Sequence, residues 1–175
     1  MQYISSDTNV WIDFSVIGQS QYPFRFQYTY IMHKDAVMDE LLSPPGLGEE
    51  LVSYGLQPVE ISIEEFVLAQ SYGERYKRLS TYDRIALAIA KTRSIILLTG
   101  DKALRNAAAE EDVNYIGTLG FLDQFKETNS ITPEEYRYCI EQLLQHNGKD
   151  VRLPEAELRL RLNEKQAPKE LTVSE

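Results

Sequence analysis

The stretch from Leu79 to Arg105, LSTYDRIALAIAKTRSIILLTGDKALR, constrains the fold more than any other part of the chain. Its Ile95-Ile96-Leu97-Leu98 run is short, apolar and partly β-branched, and it is closed by Thr-Gly-Asp. Such a run predicts a strand covered on both faces, the setting of a central strand in a parallel sheet. Upstream, Ser80 stands three residues before Asp83, an N-cap pattern with an acid at N3. Ile85, Leu87, Ala88, Ile89 and Ala90 then give a helix that is apolar around most of its circumference, hence mostly buried. Downstream, Asp101 closes the strand and Lys102 to Glu111 begins the next helix. A helix from Asp83 to Thr92 travels about 15 Å at 1.5 Å per residue. A strand from Ile95 to Thr99 returns about 16 Å. The two excursions nearly cancel, so Asp101 is expected near the level of Asp83. That level is the carboxyl edge of the strands, where open α/β sheets bind ligands.

Taken singly, Asp83 reads as an N3 residue favoured by the helix dipole, and Asp101 as an N-cap. A functional reading needs more acids at the same edge, and two candidates occur. Tyr3-Ile4-Ser5-Ser6 predicts a strand that ends at Asp7, with Val10, Trp11 and Phe14 forming a helical apolar stripe beyond it. Asn9 adds a neutral oxygen ligand or hydrogen-bond donor two residues on. In Lys34–Leu42 (KDAVMDELL), Val37, Met38, Leu41 and Leu42 are expected to form the apolar face. Glu40 lies on or near that face, where an acid is costly unless paired or ligated. Asp35 and Asp39 are expected to face solvent.

The remaining segments continue the alternation. Phe24, Phe26, Tyr28 and Tyr30 alternate with polar residues, which predicts a strand with one aromatic face. Ser43-Pro44-Pro45-Gly46 stops the preceding helix, and a short helix from Leu47 to Tyr54 closes at Gly55. Pro58–Ile61 predicts a strand, and Ser62 with Glu65 caps a helix running to about Arg78. Asn114–Gly117 predicts another strand, followed by a helix ending near Lys126. Thr132-Pro133-Glu134-Glu135 opens a helix to His146, and a last charged helix runs from about Leu153 to Asn163. The expected fold is a three-layer α/β/α arrangement with a mainly parallel central sheet, plus C-terminal helices. The expected division is a catalytic domain over residues 1–128, a helical extension over 129–163 and a mobile tail over 164–175.

Composition narrows the chemistry. One cysteine (Cys139) and two histidines (His33, His146) exclude a finger-type zinc site, so any metal would be a hard cation on oxygen ligands. The lone cysteine suits a reducing cytoplasm; no signal peptide or membrane-length apolar run is read. No GxGxxG, GxxxxGK[ST] or GxSxG motif is present, which removes the common nucleotide-binding and serine-hydrolase readings. A net charge of −9 argues against non-specific nucleic-acid binding, although Arg75, Lys77, Arg78 and Arg84 gather near Asp83, with Lys102 and Arg105 just past Asp101.

Four acids in the order Asp7, Glu40, Asp83, Asp101 resemble those of the PIN-domain ribonucleases. SDTNV resembles the family's first strand and leading acid, VMDEL its second-acid helix and LSTYDRIALAIA its third-acid helix. LLTGDKALRNAAAEEDVNYIGTLGFL resembles the fourth-acid strand, helix and final strand, with the GTLG turn of a toxin-like subset. The similarity spans residues 1–126. The proline often found shortly before the second-acid helix is replaced here by Met32-His33-Lys34.

The resemblance implies metal-dependent hydrolysis of RNA, with Asp7, Asp83 and Asp101 binding Mg²⁺ or Mn²⁺ directly or through water, and Glu40 orienting the attacking water or supporting the ligating acids from behind. Asn9 and Thr99 are expected to hydrogen-bond the ligating acids, and Arg84, Lys102 and Arg105 to contact the RNA backbone. It also implies an antitoxin partner and a homodimer. Two other readings compete: a catalytically silent PIN-like module that binds RNA or a partner, and a phosphotransfer protein with Asp7 as nucleophile. The second lacks its usual acid two residues on, where Asn9 stands.

Overall fold

The computed structural model describes residues 2–164, and the expected tail beyond Glu164 lies outside them. Five short strands form the frame: β1 (Gln2–Ser6), β2 (Tyr28–His33), β3 (Gln57–Val59), β4 (Ile96–Leu98) and β5 (Tyr115–Ile116). All pair in parallel, in the order β3-β2-β1-β4-β5. Around them lie α1 (Thr8–Val16), α2 (Lys34–Glu40), α3 (Leu47–Tyr54), α4 (Ile63–Arg75), α5 (Thr81–Arg93), α6 (Lys102–Glu110), α7 (Thr118–Glu127), α8 (Pro133–His146) and α9 (Glu155–Asn163).

The period-two rule divides the strand residues between two cores. Tyr30, Met32, Ile4 and Leu98 join Trp11, Phe14, Phe121 and Phe125 on one face. Ile31 and Leu97 join Leu87, Ile89 and Leu104 of α5 and α6 on the other. Ser5 turns toward α5 and donates its hydroxyl to the Ala86 carbonyl at 3.0 Å, and Ser6 accepts the Trp11 indole N–H at 3.0 Å. These small polar residues let helices approach the sheet closely while their own hydroxyls stay satisfied. The result is the three-layer α/β/α arrangement of the sequence reading.

The aromatic segment departs from that reading. Tyr22–Arg25 form a 3-10 turn with Pro23 near its start, and the strand begins only at Tyr28. Proline fixes the backbone of the turn and removes a ladder donor, so the alternating pattern outruns the strand. The rings nevertheless share one environment: Trp11 stacks on Phe24 at 5.4 Å, and Phe26 on Phe125 at 4.3 Å. They build the core between the sheet, α1 and α7. Of the four residues expected on the apolar face of α2, only Val37 and the following Leu41 are buried; Met38 and Leu42 are 70% and 62% exposed. The helix ends at Glu40, so Leu42, two residues on, lies outside it.

The segment after residue 128 packs into the first of the two cores. Tyr136, Cys139, Ile140, Leu143, Val151 and Leu158 are all buried there. Arg161 of α9 reaches Asp123 of α7 at 2.7 Å, and Tyr136 of α8 donates to the same carboxylate at 2.6 Å. No helix of the described residues is long and apolar enough to cross a membrane.

Candidate active site

Strand order reverses between β1 and β4: β2 and β3 lie beyond β1, and β5 lies beyond β4. At such a switch point the connections leave in opposite directions and open a crevice at the strands' carboxyl ends. Asp7 follows β1 directly and Asp101 follows β4 after two residues. The backbone N–H of Asp7 donates to the Leu98 carbonyl at 2.9 Å, which locks the acid against β4. Its Oδ1 accepts from the Thr8 N–H at 2.6 Å, the N-cap contact of α1. Its Oδ2 accepts from the Thr99 hydroxyl at 2.9 Å and from the Asn9 amide at 3.3 Å. Thr99 in turn accepts the Asp101 N–H at 3.1 Å, so one buried hydroxyl links the two acids. Asn9 and Thr99 are thus both hydrogen-bonded to Asp7.

Asp83 is held by a capping box: its Oδ2 accepts the Ser80 N–H at 2.7 Å, and its own N–H donates to Ser80 Oγ at 3.1 Å. Asp101 caps α6, accepting from the Leu104 N–H at 2.8 Å. Three of the four acids therefore stand at helix N-termini, where the dipole favours negative charge. Glu40 does not. It is the last residue of α2, half-buried, at the end where the dipole opposes a carboxylate. It accepts a hydrogen bond from the Thr8 hydroxyl beside Asp7.

The electrostatics show which acids meet. Burial pushes the Asp7 carboxyl up to about 7; repulsion from Asp83 and Glu40 adds to this, and the Thr99 and Thr8 bonds oppose it. Glu40 is also raised, first by burial and then by Asp83 and Asp39, against the Thr8 bond. Asp7, Glu40 and Asp83 thus form a mutually repelling trio, with Asp101 tied to its edge through Thr99. Among the described residues, no three His, Cys, Asp or Glu side chains close into a group able to grip an ion unaided. The donor set still suits a hard cation. It consists of carboxylate oxygens whose repulsion a divalent ion relieves, and Mg²⁺ keeps several waters and takes only one or two protein carboxylates.

Of the basic residues assigned to the RNA backbone, Lys102 and Arg105 flank a cleft that Asp101 also lines. Arg84 turns back on its own helix start, donating to the Ser80 carbonyl at 3.1 Å and to Thr81 Oγ1 at 3.0 Å.

Three contributors escaped the sequence reading. His33 ends β2 and is 8% exposed; with Asp7, Glu40 and Tyr82 it lines a cavity of ≈10 Å³, about the size of one water. Its Nδ1 has no partner among the described residues. Asp13, one turn and a half beyond Asp7, is buried and accepts from the Thr118 hydroxyl at the start of α7; burial pushes its carboxyl up to about 6. An acid inside the VWIDF stripe was the available signal. The third is the loop carrying Lys149 and Arg152, which reaches the same cleft as Asp101. Nothing local in the sequence announces that contact.

The capping box of Asp83 separates stability from site geometry. Ser80→Ala removes the Oγ that accepts the Asp83 N–H, and we expect it to lower stability by about 1 kcal/mol in urea denaturation. The backbone N–H of residue 80 still holds Asp83 Oδ2 in the variant, so the carboxylate keeps its place and activity that depends on Asp83 should change little.

An all-parallel sheet with acids at its switch point, flanked by helices on both faces, is a three-layer α/β/α fold with an acidic crevice. The chain belongs to the PIN-domain family: a family model described as a PIN domain matches residues 3–166. Neither the curated proteins nor the solved structures gave a match.

Proposed function

We propose that this PIN-domain protein is a divalent-metal-dependent ribonuclease that hydrolyses RNA phosphodiester bonds. The observation that carries the reading is the placement of Glu40. Apart from its hydrogen bond from Thr8, a half-buried acid at a helix C-terminus, facing two further acids, is unfavourably placed. A cation bound among Asp7, Asp83 and Asp101 turns that repulsion into attraction.

In this scheme Asp7, Asp83 and Asp101 hold Mg²⁺ or Mn²⁺ directly or through water. The ion, when bound, neutralises charge on the scissile phosphate and makes water a stronger nucleophile at neutral pH. Glu40 orients the attacking water and accepts its proton; a carboxylate raised toward the operating pH is suited to that role. Thr99 and Asn9 fix the Asp7 carboxylate in one orientation. Lys102 and Arg105 hold the RNA backbone.

The toxin role, with an antitoxin partner and a homodimer, belongs to the same proposal. An apolar strip on α4, where Ile63, Phe66 and Val67 are 85%, 52% and 60% exposed, supports contact with another protein chain. A second reading, a PIN domain that binds without cutting, draws on the helix-capping roles of Asp7, Asp83 and Asp101, which give each a structural reason to be present.

The test is cleavage of labelled single-stranded RNA with Mg²⁺ or Mn²⁺ and with EDTA. We expect products only with the metal. RNA and metal binding without products, across single-stranded and structured RNAs, would favour the binding module.

A further inference from the structure

Among the described residues, the cations of this acidic protein divide into those with a partner and those without. Arg25, Lys34, Arg75, Arg93, Lys126, Arg137, Arg159 and Arg161 each lie within 4 Å of a carboxylate. Lys91 and Arg84 bond to the backbone or a hydroxyl. Among the described residues, the cations left without such a partner are Lys77, Arg78, Lys102, Arg105, Lys149 and Arg152. Arg78 and Lys102 line one cleft beside Asp101, and Lys102, Arg105, Lys149 and Arg152 line a second of ≈660 Å³. The second cleft also contains Asn9, the residue bonded to Asp7, and so opens onto the acidic centre.

We infer that the C-terminal extension is part of the substrate site, with Lys149 and Arg152 forming, opposite Lys102 and Arg105, a track for the phosphates of single-stranded RNA. This deepens the ribonuclease reading and rests on it for the identity of the strand. Besides Asp101 of the acidic centre, two carboxylates share the cleft, and neither lies within 4 Å of a cation of the track. Asp13 is buried and turned to Thr118, and Asp150 stands 3.6 Å from His146 Nδ1.

The loop is built to present these charges. Asn147 Oδ1 accepts the Leu153 N–H and its Nδ2 donates to the Leu153 carbonyl, both at 2.9 Å. The Gly148 N–H donates to the Val151 carbonyl at 2.9 Å, with Gly148 at φ +84, a conformation glycine adopts without strain. Val151 is fully buried and pins the loop to the core, while Lys149 and Arg152 on either side of it are exposed. The backbone that carries these charges is fixed in this way and loses little freedom on binding.

Counterion release sets the expected size of the effect. Each phosphate contact to a single strand contributes about 0.7 to the slope of log K against log salt. At 0.1 M salt that amounts to about fivefold in affinity per contact relative to 1 M. The experiment titrates a short fluorescein-labelled oligouridylate against the Asp83→Asn protein across a salt series. Lys149→Ala with Arg152→Ala should flatten the slope by about 1.4 and weaken binding at low salt by more than tenfold. Lys149→Glu with Arg152→Glu should weaken it further. Arg137→Ala, a paired cation elsewhere on α8, should leave the slope unchanged. An unaltered slope in the double variants overturns the inference, as does an equal loss with Arg137→Ala. Cleavage by the unsubstituted protein is scored separately. A protein that cuts RNA but keeps its slope without Lys149 and Arg152 loses this inference and keeps the ribonuclease reading; one that cuts nothing but loses slope does the reverse.

Discussion

Asp83→Asn should leave a folded protein that no longer cuts RNA. The asparagine oxygen can still accept the Ser80 N–H, and the Asp83 N–H still donates to Ser80 Oγ, so the start of α5 survives. The change removes one charge favoured by the helix dipole, worth about 0.3–1 kcal/mol, and relieves repulsion on Asp7 and Glu40. These terms oppose each other, and the net stability change should stay within about 1 kcal/mol. Activity has no such compensation, because a neutral amide is a poor ligand for a hard cation and supplies no charge to hold it. We expect cleavage to fall by roughly two to three orders of magnitude, as when one preorganised electrostatic group is lost from an active site. Circular dichroism with an RNA-cleavage time course reads both effects. A variant that cuts at the unsubstituted rate would end the four-acid scheme.

Asp7→Asn should make the metal-free protein more stable at neutral pH. The Asp7 carboxyl is held up to about 7 in the folded protein, against 3.8 for an unperturbed group. Between those values the unfolded chain has released a proton that the folded chain retains, so stability falls as pH rises. The loss begins near pH 4, is complete somewhat above pH 7, and amounts to at most about 4 kcal/mol. Asparagine does not titrate and avoids it. In EDTA, urea midpoints of the two proteins should converge near about pH 4 and separate in favour of the variant at about pH 8. Saturating Mg²⁺ should narrow the gap by stabilising only the protein that binds it. Equal midpoints at the higher pH would show that Asp7 is ionised without penalty.

Much of this geometry is written locally. The Ile95–Leu98 run, the Ser80 and Thr132 caps and the strand-to-acid steps at Asp7 and Asp101 each express a preference over a few residues, and the fold obeys all of them. Glu40 could be singled out because an acid beside the buried Leu41 breaks the local pattern. What the sequence did not disclose depends on contacts between distant segments. The aromatic alternation from Phe24 to Tyr30 predicts one strand, yet Pro23 and the demands of the Trp11 core bend its first half into a turn. Matching helix and strand lengths places Asp101 level with Asp83, but Thr99 and Gly100 carry it past the strand end, so it meets Asp7 only through a hydroxyl. Arg84 follows Asp83 in sequence and turns back toward Gly73 and Ser80. Lys149 lies 47 positions beyond Lys102 and shares its cleft only because α8 and α9 fold back across α7.

The capping roles of Asp7, Asp83 and Asp101 bear on how such a protein would decay. In a lineage that had abandoned RNA cleavage, each of the three would still be retained by the helix it begins, since losing a cap costs about 1 kcal/mol. Their persistence among descendants would then record selection for folding as much as for chemistry. Glu40 has no such protection, because its helix is better off without it. Drift should therefore erase Glu40 first, and its replacement by an uncharged residue, with the other three acids intact, would mark the members of the family that have stopped cutting.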